Sequence, residues 1–134
     1  MTAVELELPG RSAYVGVARL VLGALGRAAG LDEDRVDDLK IAASEACANA
    51  VYRHDEVGVE APVTVRWVEH VDRIEVQIAD RGGSLDPAEL QGEGEPYSRF
   101  KMSLALLRGL VDDCEIRPQE AGGMCTVLVL WRAS

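Results

Sequence analysis

Two segments, APVTVRWVEH over 61–70 and DRIEVQIAD over 72–80, constrain this chain most. In each, apolar and polar residues alternate with a period of two, which sends successive side chains to opposite faces of a strand. Only a tight turn near His70 to Asp72 separates them, so they read as a β-hairpin with one apolar face that needs a cover. AVELELP near the start alternates Val4, Leu6 and Leu8 against Glu5 and Glu7 and ends at Pro9-Gly10, which predicts a half-buried strand. CEIRPQ and GGMCTVLVLWR supply two more strands, with Gly122-Gly123 as the turn between them.

Three segments carry the helical period instead. Ser12 is a candidate cap for a helix over 13–29, with Val15, Ala18, Leu22, Leu25 and Ala29 on one face. Asp32 caps a second helix to about residue 53, its first turn acidic as the helix dipole favours. The apolar stripe of that helix is Val36, Leu39, Ala43, Cys47 (or Ala46) and Ala50. A third helix covers about 100–112, with Met102, Leu106, Leu107 and Leu110. Between Leu85 and about Arg99 the chain is polar and rich in Gly and Pro, and loops of that length are often functional. The order βααββ-loop-αββ predicts an α+β fold: a mixed, mostly antiparallel sheet of about five strands with helices on one face.

At 134 residues the chain is expected to be a single domain over 1–134. Aromatic residues make up only 4%, so the core has to be aliphatic. A net charge of −9 without a run of Lys or Arg argues against a phosphate-backbone binder, because nucleic-acid affinity comes largely from neutralised phosphates. The same charge suits a partner with a basic surface. No apolar run of about 18 residues and no signal peptide stand in the sequence, so no membrane role is expected. Cys47, Cys114 and Cys125 lie in apolar segments without zinc spacing and read as buried thiols of a protein in the reducing cytoplasm.

Three polar features interrupt these apolar patterns. In SEACANAV, Glu45 and Asn49 are four apart, so both project from one side of the second helix, at the edge of its apolar stripe. A carboxylate there can act as a general base and an amide oxygen can ligate Mg²⁺, although charged and amide residues at helix edges are commonplace. In ADRGGSLDP, Asp80 follows a strand and precedes two glycines. It is either a turn-former or an acceptor for a ligand amine, with Gly82 giving close backbone approach. Thr126 is one polar residue inside an apolar strand.

Their order and spacing carry more than any one of them. A Glu-x-x-x-Asn helix, a hairpin ending in Asp-x-Gly, a loop and helix, then a Gly-Gly-x-x-Thr strand resembles the GHKL (Bergerat) ATPases. LKIAASEACANAV with VQIADRGGSLDP, and then LALLRGLVDDCEI with GGMCTVLVLWR, resembles the bacterial anti-sigma factor serine kinases. The resemblance implies a two-layer Bergerat sandwich that binds ATP and Mg²⁺. Glu45 would be the catalytic base and Asn49 the Mg²⁺ ligand. Asp80, Gly82 and Gly83 would bind the adenine, with Thr126 supporting the adenine end. The implied partners are a sigma factor and an anti-anti-sigma (STAS-domain) protein, with a homodimer also implied.

The chain departs from that pattern in three places. The first glycine motif has Ser84 in place of its second glycine. The Gly-x-Gly-Leu motif that opens the last helix of the family aligns with Lys101, Met102, Ser103 and Leu104. Lys101 and Ser103 would then face the phosphates in place of bare amides. If φ > 0 is needed there, each added side chain would cost about 1 kcal/mol. The His four residues after the Asn is Arg53, with His54 next. Two functions remain open: an ATP-dependent protein serine kinase that also sequesters a sigma factor, or a partner-switching binding module that has lost kinase activity and binds ATP weakly or not at all.

Overall fold

A computed structural model describes residues 2–83 and 99–132. The expected polar loop over 85–98 and the departure at Ser84 lie outside these residues. Five strands form one sheet: β1 (Thr2–Leu8), β2 (Val63–Glu69), β3 (Arg73–Ala79), β4 (Asp113–Pro118) and β5 (Met124–Trp131). Their order is β1-β2-β3-β5-β4, and every neighbouring pair is antiparallel, so the parallel component of the expected mixed sheet is not found among the described strands. The helices are α1 (Val15–Ala28), α2 (Glu33–Val57) and α3 (Arg99–Leu110).

Register explains why one face of the sheet is apolar. Leu6, Val65, Ile78, Thr126 and Ile116 are successive cross-strand partners, forming one row over all five strands. The next row is Val4, Trp67, Val76, Leu128 and Cys114. Ala18 and Leu22 of α1, Leu39, Ala43, Ala46, Cys47 and Ala50 of α2, and Leu104 and Leu107 of α3 close over these rows. The core is mostly aliphatic, with Trp67, Cys47 and Cys114 among its buried members and Phe100 packed against it. The small residues of α2 let the helix lie close to the sheet, since side-chain size sets interlayer distance.

The local signals mostly hold. Asp32 caps α2: its Oδ1 accepts a 2.9 Å hydrogen bond from the Arg35 amide. Ser12 does not cap α1. Ser12–Tyr14 forms a single 3-10 turn, and α1 begins at Val15 with no side-chain cap. Helix α2 runs four residues past its expected end, to Val57, because buried Val51 and His54 continue the stripe. Gly58 stops it in the left-handed conformation, with φ 70°.

Candidate functional site

Helix α2 presents Glu45, Asn49 and Arg53 at successive four-residue steps. Asn49 and Arg53 meet the end of β3, the second turn of α3 and the middle of β5. Together these elements enclose a cavity of about 30 Å³, lined among others by Asn49, Arg53, Asp80, Ser103 and Thr126. That is room for about two water molecules.

Asp80 is the most heavily bonded side chain of this region. It is 5% exposed. Oδ1 accepts from the backbone amides of Gly82 at 2.9 Å and Met124 at 3.2 Å. Oδ2 accepts from Arg53 Nε at 3.1 Å. The Asp80 amide donates to the Met124 carbonyl, and the Asp80 carbonyl accepts from Gln119 Nε2 at 2.8 Å. With about four acceptor positions on a carboxylate, Oδ1 is saturated, and Oδ2 keeps one position for a further donor.

The glycines around Asp80 are fixed by close backbone approach. A Cβ on Gly82 would stand 2.5 Å from the Arg53 Cβ and 2.9 Å from the Arg53 carbonyl carbon. The space freed at Gly82 is therefore filled by α2, not left open for a ligand as the sequence suggested. Gly83 has φ 85°, and its carbonyl accepts from a terminal nitrogen of Arg53. Gly123, at φ 88°, lies so close under the turn that a Cβ would overlap the Asp80 carbonyl oxygen. In the sequence Gly123 read as a hairpin residue and as part of the Gly-Gly-x-x-Thr motif, with no sign of its contact with Asp80.

Asn49 bridges α2 and α3. Its Nδ2 donates to Ser103 Oγ, while its Oδ1 is buried and has no hydrogen-bond partner among the described residues. An orphaned, buried amide oxygen is the type of donor a hard cation takes, so Asn49 fits the Mg²⁺ role. Glu45, one turn earlier and half-buried, has no hydrogen-bond or ion-pair partner among the described residues, which leaves its carboxylate available as a proton acceptor. Thr126 is half-buried on β5 and is the one hydroxyl in the apolar row that faces the helices.

Lys101 and Ser103 lie in the first two described turns of α3. Lys101 is half-buried, and Ser103 is 4% exposed. No non-glycine among the described residues has positive φ, so Met102 and Ser103 carry none of the backbone strain that a glycine conformation would impose. Arg53 is the residue that sequence reasoning undervalued. The signal was its four-residue step from Asn49, which put it on the same edge of α2.

Comparison with known proteins identifies the family. The family model for the histidine kinase-like ATPase domain matches residues 8–130. The serine-protein kinase RsbW of Bacillus subtilis is 35% identical over 137 aligned positions, covering 93% of this chain and 82% of the relative. That of Bacillus pumilus is 34% identical over 126 positions, covering 85% of this chain and 77% of the relative. Among solved structures, the RsbU and RsbW domains of Rv1364c from Mycobacterium tuberculosis superpose with a TM-score of 0.73 at 20% identity. That match takes in all of this chain and 34% of the other, and it bears on the fold alone. The chain belongs to the histidine kinase-like ATPase family, in the branch that holds the RsbW serine-protein kinases.

Proposed function

We propose that this protein is an anti-sigma regulatory factor with ATP-dependent protein serine kinase activity. It binds a sigma factor and, in exchange, phosphorylates an anti-anti-sigma STAS-domain partner in the cytoplasm. The observation that carries the nucleotide reading is the constellation around one cavity: Asp80 with an acceptor position left, Thr126 beside it, and Asn49 with an orphaned oxygen. The relatives' name as serine-protein kinases supports the reaction class. Among the described residues, no helix is long and apolar enough to cross a membrane.

Mg-ATP supplies the phosphoryl group when bound, and phosphoryl transfer is mostly positioning and charge neutralisation. Asp80 Oδ2 would accept from the base amine, and Thr126 would close the pocket at the sheet side. Asn49 Oδ1 would hold the metal, with Ser103 fixing the orientation of the amide. Lys101, in the first turns of α3, would add positive charge near the phosphates. Glu45 would take the proton from the serine hydroxyl of the partner. The alternative, a binding module without kinase chemistry, draws no support from the relatives, which are named as kinases.

The test is transfer of labelled phosphate from ATP to a purified STAS-domain antagonist, with the modified residue located by mass spectrometry. A phosphoserine with wild type and none with Glu45→Ala is the expected result. No transfer by the wild type to any antagonist that binds it would overturn the kinase reading.

A further inference from the structure

Arg53 holds the carboxylate that the nucleotide reading assigns to the base. Its Nε lies 3.1 Å from Asp80 Oδ2, and a terminal nitrogen donates to the Gly83 carbonyl. The pair is well shielded, with side-chain exposures of 14% and 7%. The approach is built in, because the missing Cβ of Gly82 is what lets the α2 backbone at Arg53 reach the turn. Arg53 also lines the same small cavity as Asp80, Asn49 and Thr126. A planar base could reach Oδ2 only if this cavity of about 30 Å³ widens, and the guanidinium is the long, unbranched wall that can swing out.

We propose that Arg53 is an internal competitor for the base: it fills the approach to the remaining acceptor position of Asp80 Oδ2 in the closed pocket, must swing aside before the ligand amine can reach it, and thereby sets nucleotide affinity. The inference rests on the reading of Asp80 as the base-binding residue. Its physical basis is an unequal exchange. The guanidinium makes a charge-assisted bond to the carboxylate, roughly twice as strong as one from a neutral amine. Its second bond, to the Gly83 carbonyl, is surrendered as well. Asp80 does not lose its place on displacement, because Gly82 and Met124 amides still hold Oδ1. The exchange therefore moves the arginine rather than the turn.

The test compares wild type, Arg53→Met and Arg53→Lys by calorimetric titration with ATP and Mg²⁺, together with urea unfolding without nucleotide. Met keeps the apolar stem and removes the donors; Lys keeps the charge but cannot form both bonds. Arg53→Met is expected to bind nucleotide about fivefold to tenfold more tightly, with Lys between it and wild type. In urea, Arg53→Met and Asp80→Asn should show non-additive midpoints in a double-mutant cycle, reporting the pair itself. If Arg53→Met does not fold, the Lys variant carries the same comparison. Wild-type binding that is unchanged or weakened by loss of the guanidinium would overturn the inference, since Arg53 would then help hold the base. Absence of nucleotide binding in all three proteins would overturn the nucleotide reading itself, and this inference with it.

Discussion

The Asn49 amide donates to the Ser103 hydroxyl across the α2–α3 interface, joining the two helices through side chains 54 residues apart. Ser103 stands where the resemblance sets a glycine, and it is buried. Its hydroxyl thus does something the glycine could not: it orients the amide whose other atom is the orphaned Oδ1. Ser103→Ala should lower stability by about 1–2 kcal/mol, because a buried donor loses its acceptor. Ser103→Gly should cost about 1 kcal/mol more, from helix propensity. Urea midpoints at constant slope check both. A Ser103→Gly variant as stable as wild type would mean that the bond contributes nothing.

The turn at the end of β3 should be the least tolerant place in the molecule. Gly123→Ala drives a Cβ into the Asp80 carbonyl, at a φ that side chains rarely adopt, and Gly82→Ala drives one into the α2 backbone. Both should unfold the protein or cost several kcal/mol. Gly30→Ala also has positive φ, but nothing lies within 4 Å of its Cβ, so it should cost only about 1–2 kcal/mol. Thermal denaturation of the three variants ranks them, and equal losses would refute the contact argument.

Asp112 anchors the far end of the sheet. The Arg35 guanidinium, 2.6 Å away, and the Trp131 amide hold its carboxyl below the usual carboxylate range. A folded pKa below the unfolded one means that the stabilisation is present above the unfolded value of 3.8 and is lost as pH falls through the lower, folded value. Because both side chains are about 30% exposed, the contribution is at most about 1 kcal/mol. Asp112→Asn should therefore lower stability at pH 7, and the loss should shrink as pH falls below 3.8. Unfolding midpoints on the two sides of that value check the sign.

The core is expected to hold without metal or disulfide. All three cysteines are free, and among the described residues no His, Cys, Asp and Glu cluster could hold a metal. Burial pushes the Cys47 thiol up to about 12 and Cys114 to about 11. Neither should react with a thiol reagent at pH 8 while folded, and half-buried Cys125 should react first. Unfolding midpoints should be unchanged by reductant or EDTA. A marked drop with either would contradict this.

What the sequence made legible was periodic or local. The hairpin, the α2 stripe and the Asp32 cap each depend on residues a few positions apart, so their pattern survives without the fold. The end of α2 was misread because the stripe is continued by a histidine, His54, whose Nε2 accepts from the Arg81 amide. The Arg53–Asp80 pair spans 27 residues, and the contact of Gly123 with Asp80 spans 43, which no local period encodes. The family motif pointed to Asp80 and Asn49 as candidates, but not to the partners that tie them down.

The most direct test of the nucleotide account is calorimetric titration of wild type and Asn49→Ala with ATP, with and without Mg²⁺. The account expects saturable binding by wild type that tightens at least tenfold with Mg²⁺, and loss of that Mg²⁺ dependence in Asn49→Ala while the protein stays folded. No binding by wild type, or equal Mg²⁺ dependence in both proteins, would contradict it.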